Sequence, residues 1–239
     1  MSIKNKKVVI IGGGSGIGFA VAKKSIEHGA KVIIGSRNAN KLNAAIIKLG
    51  VNNATAVQVD AEKENSVCNF FEEIGRFDHL HITIGEFKGG GLKCSSLKDA
   101  KNIFDLKFFG TFNIVKHAIH NISADGAITL YSGRYAQRPS GQNSALIAAV
   151  NGAIVSFGKA LALELTPVRV NILSPGLTNT ELFMNMPQHK REDFFLQSSK
   201  EFVIQRPASP EEIAEGAIYL MNCSYATGST VVIDGGYAL

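Results

Sequence analysis

Seven short runs rich in valine and isoleucine recur along the chain, and all but the last lead into a stretch with helical spacing. The runs are Val8–Ile11, Lys31–Gly35, Ala54–Val59, His79–Ile84, Ala127–Tyr131, Arg169–Leu173 and Thr230–Ile233. They are nearly continuous rather than alternating, as expected of strands covered on both faces. Between them lie Gly16–His28, Asn40–Leu49, Glu62–Ile74, the long Leu97–Asn121, Ser144–Leu165 and Pro210–Met221. The last has Ser209 as a candidate N-cap, Pro210 at its first position and Glu211 and Glu212 in its first turn. Strand alternating with helix predicts right-handed crossovers and a doubly wound α/β sheet of seven parallel strands with helices on both faces.

Other features narrow the reading. The 239 residues fit one domain spanning 1–239, with no linker or repeat. Residues 89–91 read as a loop after the fourth strand. The segment 177–206, with Phe183, Met184, Met186, Phe194, Phe195 and Phe202, breaks the rhythm. It reads either as a lid over a substrate or as a packed excursion. Lys and Arg exceed Asp and Glu by 25 − 20 = 5, without a dense basic run. That balance suits an anionic ligand and does not indicate nucleic acid. Cys68, Cys94 and Cys223 are too far apart for a metal motif or a disulfide framework. His79 and His81 are read as pointing to opposite faces of a strand, and no metal site is expected. No apolar run reaches the roughly 18 residues of a membrane span, so a cytoplasmic protein is expected.

The first run leads into Gly12-Gly13-Gly14-Ser15-Gly16-Ile17-Gly18, which opens the first helix. Glycines there permit a tight turn and close approach of backbone to a pyrophosphate. The amides of Ser15, Gly16 and Ile17 then face its oxygens. The strand before and helix after make this a dinucleotide site rather than a bare glycine cluster. The absence of a Gly-Lys-Ser/Thr ending disfavours a nucleoside-triphosphate loop. At the end of the second run, Ser36 and Arg37 stand where a carboxylate would hold the ribose hydroxyls of NAD. A guanidinium pairs with a 2′-phosphate, so NADP(H) is expected over NAD(H).

Taken together, these motifs resemble the short-chain dehydrogenase/reductase family, with its Rossmann-type fold, over essentially the whole chain. Gly12, Gly16 and Gly18 match the family's glycine turn, with Ile11 in place of its threonine. The stretch Ala160–Leu165, then Val168-Arg169-Val170-Asn171, Ser174-Pro175-Gly176, and the ending Thr227-Gly228 with Asp234-Gly235-Gly236 are specific to it. The resemblance implies that Asp60 and Ala61 contact adenine. It also assigns Gly85, Pro175, Gly176, Thr178 and Thr180 to the cofactor. It further implies a homodimer or homotetramer and a small-molecule substrate, a carbonyl or alcohol. The phenylalanines of 177–206 hint that this substrate is apolar.

The catalytic positions depart from the family. Its tyrosine falls on Ile147 and its lysine on Asn151, against the nicotinamide ribose. Lys107 replaces the asparagine of the preceding long helix. Ser132 is the candidate for the family's serine, and Arg134 stands at the family's usual spacing before Ile147. Isoleucine has no proton to exchange, so three explanations are open. The site is rebuilt around Lys107, Ser132 and Tyr135, with Arg134 holding an oxygen. Alternatively, water or substrate supplies the proton. Or the chain binds NADP(H) without turnover, as a sensor or partner. An atypical oxidoreductase is the favoured reading, because a positioned acid is worth about 10² to 10⁴ in rate.

Overall fold

The computed structural model describes residues 2–85, 91–140 and 143–239. The expected loop at 89–90 lies outside them. All seven expected runs form strands: β1 (Lys7–Ile11), β2 (Lys31–Ser36), β3 (Ala54–Gln58), β4 (Phe77–Ile82), β5 (Ile122–Tyr131), β6 (Arg169–Pro175) and β7 (Thr230–Ile233). They build one parallel sheet in the order β3-β2-β1-β4-β5-β6-β7. Chain order reverses between β1 and β4, which opens a crevice at the C-terminal ends of those strands.

Alternate residues of each strand feed two apolar layers. Val9, Ile11, Leu80, Ile82, Ile128 and Leu130 face one side. There they meet α3 (Glu64–Ile74), α5 (Gly110–Ala118) and α6 (Ala145–Glu164). Val8, Ile10, Val32, Ile34 and Leu173 face the other. There they meet α1 (Gly16–Glu27), α2 (Ala39–Leu49) and α8 (Pro210–Asn222). This explains why the strand sequences are apolar without alternation: both faces are dry. Ser209 caps α8 as expected, and with Glu212 it forms a reciprocal capping box.

Three segments differ from the sequence reading. The long helix is broken into α4 (Leu97–Phe104), a π-helical turn Asp105–Phe109 and α5. Such turns shift the register of side chains and concentrate at functional sites. The segment 177–206 contains a short 3₁₀ turn, Glu181–Phe183, and a full helix, α7 (Gln188–Ser199). Of α7's residues only Phe195 and Ser199 are buried, so it carries no apolar stripe for a sequence pattern to reveal. Finally, α6 is long and apolar enough, by length and composition, to cross a bilayer. Its inner face packs on the sheet through Val150, Ile154 and Leu161, while Phe157 meets Phe108 and Phe112.

His79 and His81 also need correction. A two-residue step returns to the same face of a strand. Both lie level with Val8 and Ile10 on β1, and His81 Nδ1 is 3.2 Å from the Tyr131 hydroxyl. No metal-ligating cluster occurs among the described residues. Burial, reinforced by the charge of Arg169, pushes His79 down to about 4. Burial with His79 alongside takes His81 down to about 3.

Both imidazoles are therefore neutral in the folded protein, while the unfolded chain binds protons below about pH 6.5. The stability that they confer is complete above that value and falls as pH drops toward 4, by about 1.4 kcal/mol per unit for each group. We expect the thermal unfolding midpoint to decline steadily from pH 6.5 to 4. His81→Asn should flatten that slope; an unchanged slope in the variant would show that other groups drive it.

Candidate active site

The crevice is walled by segments that leave the C-terminal ends of β1, β2, β3, β4, β5 and β6. After β1, Gly12 adopts φ +90°, and a Cβ at Gly18 would lie 2.4 Å from the Gly12 carbonyl oxygen. Only glycine fits either position, and their close approach brings the start of α1 against β1. Gly14 is less confined, its virtual Cβ in ordinary van der Waals contact with Lys41 at 3.6 Å. Ser15 is the N-cap of α1 but makes no side-chain capping bond. The first helical amide, that of Gly16, instead donates to the Glu181 carboxylate at 2.8 Å, across 165 residues of sequence. Thr180 packs against the same glycine, at 3.3 Å from its virtual Cβ. A glycine cradle with helix-start amides fits a pyrophosphate, and the carboxylate shows that the amide takes an anion. Ile17 follows on the first turn, partly exposed.

On the adjoining rim, Ser36 ends β2 and accepts a long bond from the Asn38 amide, 3.4 Å. Arg37 Nη1 donates to Glu62 at 2.9 Å, and both groups are substantially exposed. A phosphate at Arg37 would share it with, or take it from, Glu62. Asp60 accepts from the Glu62 amide at 3.3 Å and pairs with Lys63 at 3.2 Å. The Ala61 carbonyl accepts from Asn113 Nδ2 at 2.9 Å, which ties α5 to this rim. On the far side, Pro175 ends β6, the Gly176 amide donates to Ile233, and Thr178 turns back to bond the Gly176 carbonyl at 3.1 Å.

At the centre, the π-helical turn projects Lys107 toward β5 and α6. Its ammonium donates to Asn151 Oδ1 at 2.6 Å and to the Ser132 carbonyl at 2.9 Å. Ser132 Oγ donates to the Asn151 carbonyl at 2.9 Å. Gly133 lets Asn151 approach, because a Cβ there would lie 2.8 Å from Asn151 Nδ2. Gly85 flanks the Lys107 stem at 3.6 Å from its virtual Cβ. Ser132 and Asn151 are buried. Burial pushes Lys107 down to about 8. An ammonium has three donors, and these partners take two. Ile147 lies one turn before Asn151 on the same helix face.

Tyr135 is elsewhere. Its hydroxyl accepts from Arg134 Nη2 at 2.7 Å, and its ring meets Tyr237 edge-on. No hydrogen bond links it to Lys107 or Ser132 among the described residues. Phe183, Phe195, Phe202, Leu177 and Tyr237 form a third apolar cluster beside it.

The comparisons with known proteins follow this geometry. A family model described as Enoyl-(Acyl carrier protein) reductase matches residues 12–238. The short-chain dehydrogenase/reductase ATR9 of Stachybotrys chlorohalonatus is 31% identical over 98% of both chains. The chain belongs to the short-chain dehydrogenase/reductase family of oxidoreductases. Carbonyl reductase family member 4 of Xenopus laevis is 28% identical, covering 98% of this chain and 99% of its own. A small-chain dehydrogenase crystallised with NADPH superposes with a TM-score of 0.85 at 30% identity, covering 98% and 99%.

Against the family's pattern, sequence reading located Lys107, Asn151 and Ser132 separately but not their contact. It missed Glu181 and Asn113 as site residues. A carboxylate directly after Thr180 was the one available signal for the first.

We expect Lys107 to titrate near pH 8, readable from side-chain resonances of isotopically labelled lysine. Asn151→Leu should lower that value further and cost about 1–3 kcal/mol, because the ammonium loses a buried acceptor. A Lys107 resonance that titrates above pH 10 would contradict the burial described.

Proposed function

We propose that the protein is an NADP(H)-dependent oxidoreductase that moves hydride between the nicotinamide and a small carbonyl or alcohol compound, using Lys107 in place of the family's tyrosine. The observation that carries this reading is the Lys107–Asn151 contact at 2.6 Å. The family's asparagine position holds lysine and its lysine position holds asparagine. The two functional groups are thus exchanged between helices while still touching.

Gly12, Gly14, Ser15, Gly16, Ile17 and Gly18 would hold the pyrophosphate. Asp60 and Ala61 would line the adenine, with Ser36 and Arg37 at the 2′-phosphate. Gly85, Asn151, Pro175, Gly176, Thr178 and Thr180 would line the nicotinamide half. The bound cofactor supplies a hydride donor or acceptor. In reduction the carbonyl carbon gains hydride, and the π electron pair moves onto its oxygen. Lys107 gives that oxygen a proton and is left as an amine, which regains a proton from water. Ser132 holds the Asn151 backbone, and Asn151 Oδ1 orients the ammonium. Tyr135, the other catalytic candidate, belongs with Arg134 in substrate contact.

The reading takes 1–239 as one domain. It includes a homo-oligomer, supported by the exposed apolar residues Phe109, Phe112 and Leu163 on α5 and α6 and the turn beside them.

Reduction needs protonated Lys107. Its rate should therefore fall as pH rises through about 8, and oxidation should show the opposite limb. In an NADPH-consumption screen over aldehydes and ketones, Lys107→Met should lower turnover by about 10²–10⁴. Turnover that survives this change would remove Lys107 from the chemistry. In fluorescence titrations NADPH should bind about tenfold more tightly than NADH, and Arg37→Glu should reverse the order. Glu181→Gln should tighten both, because the carboxylate competes for the Gly16 amide. An unchanged NADPH/NADH ratio in Arg37→Glu would sink the NADP(H) preference.

A further inference from the structure

Among the described residues two arginines are buried, and their surroundings differ. Arg169 is 9% exposed and donates to four backbone carbonyls, those of Leu220, Met221, Cys223 and Ala226. Its charge closes the C-terminal end of α8, where the helix dipole is negative. Arg134 is 7% exposed. It makes one side-chain hydrogen bond, from Nη2 to the Tyr135 hydroxyl. Its Nη1 is buried with no partner. No carboxylate pairs with it among the described residues. Glu201, the nearby acid that influences Tyr237, is exposed and makes no ion pair with it.

What surrounds the guanidinium is aromatic. Its central carbon lies 4.7 Å from the Tyr135 ring centroid, 4.9 Å from Phe202 and 4.7 Å from Tyr237. Ring faces attract a cation and exclude water, but they accept no hydrogen bond of the strength that a carboxylate or carbonyl oxygen does. Arg138, which bonds the Tyr237 carbonyl at 2.8 Å and lies 5.3 Å from its ring centroid, adds a second positive charge against the same ring. A planar fork with a free donor, desolvated and reinforced by a second cation, matches a carboxylate. The location matches a substrate. Arg134 stands two residues after Ser132, whose carbonyl holds Lys107. Phe202 belongs to the segment 177–206, and Tyr237 packs on it.

We propose that Arg134 is a substrate-binding residue and that the substrate is a carbonyl or alcohol compound bearing a carboxylate, which bonds the Arg134 guanidinium under the aromatic segment. This rests on the reading that the substrate's reacting oxygen lies at Lys107. It replaces the expectation of a purely apolar substrate with an anionic one whose body is apolar. The aromatic rings would contact that body, and the guanidinium would select the charged end.

The test uses 4-formylbenzoate and its methyl ester, two aldehydes alike except for the charge. Binding to the full chain saturated with NADP⁺, in which no hydride is available, is followed by calorimetry. NADPH consumption is then measured separately. We expect the acid to bind about tenfold or more tightly than the ester, a preference that high salt weakens. Arg134→Met should erase the preference and leave NADP⁺ affinity unchanged. Arg134→Lys, which keeps the charge but not the fork, should retain part of it and guards against a variant that fails to fold. Equal binding of acid and ester, no binding of the acid, or a preference that persists without Arg134 would each overturn the proposal. Binding of the acid that depends on Arg134 without turnover would leave this site standing while removing the reductase reading.

Discussion

A buried ammonium must be surrounded by oxygen, and in this protein Lys107 sets that requirement at the junction of three elements. The π-helical turn after α4, the end of β5 and the first half of α6 each contribute to it. The turn carries the stem, Ser132 contributes its carbonyl and Asn151 its amide oxygen. Remove one acceptor and the charge is left paying most of its desolvation unaided. The arrangement therefore fixes how α6 sits on the sheet as much as it defines a chemical site. The lowered pKa follows from the same burial that makes the acceptors necessary.

The glycine turn shows a related economy. Close approach of Gly12 and Gly18 leaves the amides at the start of α1 without a capping side chain of their own. Glu181, from the segment after β6, fills one of them. The Gly16 amide, one of those that would receive a dinucleotide's pyrophosphate, thereby holds that segment against the turn. A pyrophosphate bound at that turn would compete with Glu181 for the Gly16 amide. Phe202, farther along the same segment, lies over the Arg134 guanidinium.

The sheet was legible in the sequence because both its faces are dry, and the alternation of Val8, Val9, Ile10 and Ile11 into opposite layers leaves a continuous apolar run. α8 was legible because its signals are local: Ser209, Pro210 and Glu212 lie within four residues. α7 was not, since a helix that buries only Phe195 and Ser199 has no periodicity to find. The π-helical turn has no sequence signature, yet it determines where Lys107 points. The individual replacements at 107, 147 and 151 could be read against the family's pattern. Their compensation could not, because Lys107 and Asn151 are 44 residues apart and only the fold brings them within 2.6 Å. The two histidines of β4 were misplaced by treating a two-residue step as a change of face.

The central claim is that an ammonium and an amide have changed places between two helices, and that the displaced ammonium of Lys107 carries the proton transfer for which Ile147 offers no group. The direct measurement is a double-mutant cycle on NADPH-dependent carbonyl reduction with Lys107→Asn, Asn151→Lys and the two combined. Each single change leaves either no ammonium or two facing each other, and each should abolish most of the activity. The combined protein restores the family's residues at 107 and 151 but not its tyrosine, so it should stay no more active than Lys107→Asn alone. A combined protein that recovers most of the activity would show that the proton comes from elsewhere and would contradict the role of Lys107.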